Sequence, residues 1–226
     1  NASVNHWEHF DDMEWLIGKT GKKKNPINDD QKETKPYLEK KIYEDFSLTK
    51  EQIMEIVVLP AGMDINEWLA THTLTLFNSI NQIYGAITEF CTANTCPTMT
   101  AGTVIYSWYG RKGKISAPQY IDLVMTHIQK HVEDESCLPS KYGSKFPASF
   151  GTSVKKFIKL LVHVLGHLYY SHIEDVSDLQ LHPYLNTVFI HIMYFDNKFS
   201  LLEAKDTVPL DDLAHAMNLS LEPKQS

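Results

Sequence analysis

Two pairs of metal-ligating side chains repeat one spacing, Cys91-Thr-Ala-Asn-Thr-Cys96 and His167-Leu-Tyr-Tyr-Ser-His172. Two thiolates with two imidazoles are the donor set of a structural zinc site, and such soft donors suit zinc better than calcium or magnesium, which take oxygen. The pairs stand far apart in the chain, unlike the ligands of a short zinc finger. An ion held by all four would tie two remote stretches of one fold together. Spacing leaves alternatives open. With 11 His and 3 Cys in the chain, pairs also arise by chance. Two cysteines can form a disulfide or sit as small buried residues, and a histidine on an apolar helix is more often a core group than a ligand. His163 and His167 are four apart, on one helical face, whereas His167 and His172 are separated by roughly 140° around a regular helix. Spacing alone pairs His163 with His167; using His172 requires a bend or a helix end beside it.

Length and composition bound the rest. A chain of 226 residues, 43% apolar, is one domain with enough apolar residues for a sizeable core. A net charge of −7 gives no electrostatic case for nucleic acid and favours a basic protein partner. Three cysteines do not read as a disulfide framework, so a reducing cytoplasmic or nuclear setting is expected. No apolar run approaches the roughly 20 residues of a membrane span.

Residues 1–46 read as a mobile polar N-terminal arm, with an apolar island at Met13–Ile17 and a basic cluster at Lys22–Lys24. Gly18-Lys19-Thr20 resembles the end of a phosphate-binding loop, but Met13 stands where that loop needs glycine, so the nucleotide reading is rejected. A helical domain is expected over 47–217 and a C-terminal tail over 218–226. Ile53–Leu59 is an apolar run stopped by Pro60. Asp64, with Glu67 three residues on, is an N-cap with a capping-box partner, and the apolar spacing from Ile65 to Phe90 predicts a long amphipathic helix leading to Cys91. Val104–Ser116 alternates around Gly110 and Gly113, which predicts a small hairpin. Further helices are expected from Ser116-Ala-Pro118 through Val132, over Ser153 to about Ser171, over Tyr184–Phe199 and over Pro209 to about Met217. The architecture is mainly α: a bundle with a four-helix core, flanking helices and a small β-hairpin.

The motifs Leu59-Pro60, Asp64–Leu69, Phe77-Asn78, Ile80-Asn81, Tyr84-Gly85, Glu89–Thr92, Cys96-Pro97, Ala117–Asp122, Phe146-Pro147 and Leu185–Thr187 together resemble the Mob (Mps-one-binder, or phocein) family. The likeness spans roughly residues 53–213. Met13–Lys19 and His163–His167 look more like the second Mob branch than the first. The resemblance implies a helical bundle with one structural zinc ion (Zn2+) on Cys91, Cys96, His167 and His172, and so resolves the spacing ambiguity against His163. It also implies a non-catalytic adaptor that binds the basic N-terminal regulatory segment of NDR/LATS-type protein kinases. Family positions at that interface fall on Ile53, Ile56, Glu67, Gln82, Ile83, Leu179, Gln180 and His191.

Three departures refine the expectation. Some members carry an acid where this chain has Met63. Members that pair with LATS kinases carry Asp at the position of Thr75, so NDR is favoured here. The first branch binds phosphopeptides through a basic cluster whose positions here are Lys159, Leu160 and His163. Losing two fixed charges removes the bidentate contacts phosphate favours, so weak or no phosphopeptide binding is expected. The competing readings are a phosphopeptide-binding scaffold and a zinc-dependent hydrolase. The hydrolase is disfavoured because four protein ligands leave no place for a reactive water and no His-Glu-x-x-His motif is present. Cys137 has no assigned role.

Overall fold

The structure, a computed structural model, describes residues 35–110, 113–139 and 144–221. Residues 1–34 of the expected arm, with its apolar island and basic cluster, lie outside the described residues.

Four long helices form the core. They are α3 (Ile65–Ile87), α4 (Ala117–Val132), α5 (Phe150–Asp178) and α6 (His182–Phe199). Helix α5 packs on the other three and most extensively on α3. Around this core lie α1 (Lys40–Tyr43), α2 (Lys50–Ile56), α7 (Ala204–Thr207), α8 (Asp211–Ala216) and a two-stranded antiparallel sheet, β1 (Thr100–Ala101) with β2 (Val104–Ile105).

Local chemistry explains where these helices start. Asp64 Oδ1 accepts from the backbone N–H of Asn66 at 2.8 Å and of Glu67 at 3.3 Å, which caps α3 as its sequence predicts. The reciprocal capping box forms one helix earlier, where Thr49 and Gln52 exchange side-chain bonds at the start of α2. Pro118 and Pro183 sit in the first turns of α4 and α6, where a missing N–H costs nothing.

Three expectations about elements are corrected. The hairpin turns at Gly102, not at Gly110 and Gly113: Thr100 pairs with Ile105 and Ala101 with Val104. Gly102 has φ +57, and a Cβ there would lie 2.7 Å from a ring carbon of Tyr170, so only glycine lets the turn settle onto α5. From the other side, a Cβ on Gly166 would come within 2.9 Å of Ala101. Helix α5 also runs well past the expected end near Ser171, because Ile173 and Val176 continue its buried stripe to Asp178. Finally, residues 35–46 are docked. Tyr37 and Ile42 are buried, and Tyr37 packs against the rings of Tyr169 and Tyr170. Asn186 Nδ2 donates to the carbonyls of Ile42 (2.6 Å) and Asp45 (2.8 Å), while Asn186 Oδ1 accepts from the Tyr169 hydroxyl. This segment looked polar because its few apolar residues are spaced too widely to show a period.

Candidate metal centre

Cys91 stands one turn beyond the end of α3, its N–H bonded to the carbonyl of Ile87 at 3.2 Å. The loop to Cys96 is tied internally by two threonines. Thr92 N–H donates to Thr95 Oγ1 (2.9 Å), Thr95 N–H to Thr92 Oγ1 (3.2 Å), and the Thr95 hydroxyl to the carbonyl of Phe90 (2.6 Å). The carbonyl of Cys96 then accepts from Ala117 N–H, which anchors the loop to the first turn of α4. Both cysteines are free thiols, buried against α5.

His167 and His172 both project from α5, and both are buried. Cys91 Sγ lies 3.5 Å from His167 Nε2, and Cys96 Sγ lies 3.3 Å from His172 Nε2. All four donor atoms fall within 4.8 Å of one another. Neither the expected bend nor a helix end falls at His172, since α5 runs unbroken through it to Asp178. The two imidazoles are long enough to converge from neighbouring sides of one helix, with ring centroids 5.1 Å apart, and the cysteine loop closes over them. His163 takes no part: its Nδ1 bonds the Tyr120 hydroxyl at 2.7 Å and its ring stacks on Tyr106.

The donor set fits a tetrahedral ion. Bonds of about 2.3 Å to sulfur and 2.0–2.1 Å to nitrogen give S···N edges near 3.5 Å, which is the separation seen. Each histidine keeps Nε2 toward the cluster because Nδ1–H is engaged elsewhere, on the Thr100 carbonyl at 2.9 Å for His167 and on Asp175 Oδ2 at 2.8 Å for His172. Partners of this kind set ring orientation and ligand basicity in metal sites. Burial, then the neighbouring Cys96, pushes the Cys91 thiol up to about 12, and burial takes His167 down to about 4. Burial makes a bare Cys91 thiolate costly there, and a cation supplies the compensation that stabilises it.

Residues 45–210 match the sequence model of the Mob1/phocein family. The chain belongs to the Mob1/phocein family. It is 45% identical over 208 residues to mouse (Mus musculus) MOB kinase activator 2, covering 91% of this chain and 88% of the relative. Identity to human MOB kinase activator 2 is 44% over 208 residues, covering 91% and 87%. Identity to MOB kinase activator-like 1 homolog A of Dictyostelium discoideum is 38% over 209 residues, covering 89% and 97%.

The partner positions transferred from the Mob family divide into two groups. Ile56 (41% exposed), Leu179 (44%), Glu67, Gln82 and Gln180 stand at the surface. Ile53 and Ile83 (1% each) and His191 (8%) do not. Ile53 lies on the inner face of α2, Ile83 within the buried stripe of α3, and His191 against His72. As contact residues these three are corrected to core positions that support the surface. The Tyr184 hydroxyl donates to Ser79 Oγ at 2.7 Å and so brings the start of α6 alongside the middle of α3.

The family positions include Ile56 but omit the apolar residues exposed around it: Met54, Ile56, Val58, Met63 and Ile65 are all exposed along α2 and the elbow into α3. The signal for this group was in the chain. Ile53–Leu59 carries six apolar residues and one acid, Glu55, more apolar side chains than the single inner face of so short a helix can bury. No helix of the described residues is long and apolar enough to cross a membrane.

Proposed function

We propose that this chain is a non-catalytic adaptor that holds the basic, helical N-terminal regulatory segment of an NDR-type protein kinase. In this reading a zinc ion on Cys91, Cys96, His167 and His172 cross-links the cysteine loop to α5. Four protein ligands complete a tetrahedron, so the ion serves structure rather than reaction.

The observation that carries the reading is the exposed apolar ridge of Met54, Ile56, Val58, Met63 and Ile65, interleaved with the exposed carboxylates Glu51, Glu55, Asp64 and Glu67. Between residues 51 and 110 the sequence contains five acids and no Lys or Arg. A basic amphipathic helix matches both properties. Its apolar anchors would bury the ridge, and its cations would be steered by the field, which governs encounter rate and selectivity more than affinity. The names of the relatives, kinase activators, agree. Thr75 is neutral, and its hydroxyl is bonded to the carbonyl of Thr71 at 2.9 Å. It offers no carboxylate to a LATS-type segment, which favours NDR. A cytoplasmic or nuclear setting goes with such a partner.

The phosphopeptide reading has less support. Lys159 is engaged by the buried carboxylate of Asp206 at 2.9 Å, Leu160 is apolar, and burial holds His163 neutral, at about 3. Titrating a purified NDR N-terminal segment into the protein tests the proposal. Binding weakened by Glu67→Lys supports it, and no binding at micromolar concentration overturns it.

A further inference from the structure

The cluster of four ligands is not equally enclosed. A cavity of about 590 Å3 opens beside it, lined among others by Glu89, Phe90, Cys96, Ser171, His172 and Asp175. Cys96 is 8% exposed and Cys91 only 2%. Cys96, His167 and His172 all line the cavity, while Cys91 lies behind them. Two carboxylates border this opening. One of them, Asp175, also accepts the Nδ1–H of His172 at 2.8 Å. The other histidine is oriented by the Thr100 carbonyl at 2.9 Å, with the Ser171 hydroxyl 3.3 Å from the same Nδ1. Asp175 is thus the one side-chain carboxylate bonded to a ligand of this centre among the described residues.

We infer that Asp175 is the positioning residue of the metal centre, and that the ion enters and leaves past Asp175 and Glu89 through this cavity. This rests on the reading of the four ligands as a metal site. Asp175 fixes the tautomer and ring plane of His172, so that Nε2 meets the ion without first reorganising. Together with Glu89 it concentrates a divalent cation at the mouth, where low-dielectric walls focus the field.

The test uses the whole chain, with cobalt(II) as a spectroscopic probe and zinc affinity measured by competition with a chromophoric chelator. The unaltered protein binds one ion. Asp175→Ala lowers zinc affinity about 10- to 100-fold and alters the cobalt ligand-field bands. Asp175→Asn, which keeps an acceptor, stays closer to wild type. Glu89→Gln slows loading at low ionic strength and leaves affinity unchanged. Asp178→Ala, an exposed acid farther along α5, changes neither. If Asp175→Ala does not fold, Asp175→Asn and Glu89→Gln carry the test through their loading rates. Affinity in Asp175→Ala equal to wild type overturns the positioning role. Loading rates indifferent to both acids overturn the access route. A wild-type protein that binds no ion overturns the metal reading itself, and the inference with it.

Discussion

Nδ1 of His72 lies 2.7 Å from Nε2 of His191, a hydrogen bond between α3 and α6 with both rings buried. His72 Nε2 has no partner and no access to solvent. An unpaired buried N–H costs more than a bare ring nitrogen, so the proton belongs on Nδ1 of His72, which donates to His191. The Trp68 indole packs edge-on against His72 and donates to the carbonyl of Val57. The pair therefore lies beneath the α2–α3 elbow that carries the exposed ridge.

This pair makes stability fall in mild acid. Burial holds His72 down at about 4 and His191 at about 3. Well above pH 6.5 both are neutral in either state and contribute no pH dependence. As pH falls through 6.5 the unfolded chain takes up protons that the folded chain refuses, so stability drops until the folded rings titrate. His127 and His163 act in the same direction. Urea denaturation at pH 7 and pH 4.5 is expected to show a loss of about 1–3 kcal/mol per buried ring. In His72→Gln that loss is smaller by about one ring's share.

Removing metal should loosen the cysteine loop from α5. A chelator at neutral pH, or His172→Ala, is expected to lower the thermal midpoint by about 10–20 °C, as a loss of about 5 kcal/mol does in a domain of this size. Hydrogen exchange should rise first in residues 91–105 and around His167. A midpoint unchanged by either treatment would argue against an ion at this place.

The ridge and the helical core should separate in mutagenesis. Ile56→Asp is expected to weaken binding of the basic kinase segment more than tenfold while leaving the melting curve near wild type. Ile83→Ala should cost about 2–5 kcal/mol of stability, because it opens a cavity in a closed core. Calorimetric titration beside thermal melts distinguishes the two.

Asn186 should govern the docking of residues 35–46. Asn186→Leu leaves the carbonyls of Ile42 and Asp45 and the hydroxyl of Tyr169 without their partner, at about 1–3 kcal/mol for each of the buried Ile42 and Tyr169 groups and less for the part-buried Asp45 carbonyl. Limited proteolysis should then cut between Lys35 and Lys50 faster than in the parent protein.

Legibility followed the physics of each signal. Helices α3 and α4 were readable because their buried positions recur with the helical period and their starts carry Asp64 and Pro118. The end of α5 was misplaced because the five-residue histidine spacing implied a bend, while the side chains accommodate it within a straight helix. The hairpin was shifted because Gly102 is selected by its approach to Tyr170, a long-range contact absent from local pattern. The donor types of the metal centre were visible from the first. The choice of His172 over His163 came from the family resemblance and not from spacing; its physical reason, the contacts of His163 with Tyr106 and Tyr120, lies in space and not in sequence. Asp175 was invisible for the same reason.

The face built from α2, α3, the cysteine loop and the hairpin has a practical consequence. With no Lys or Arg between Lys50 and Arg111, trypsin releases it as one long peptide carrying two of the three thiols. Footprinting or cross-linking of this surface therefore needs a protease that cuts at acidic or aromatic residues, and lysine-reactive reagents will leave it unlabelled.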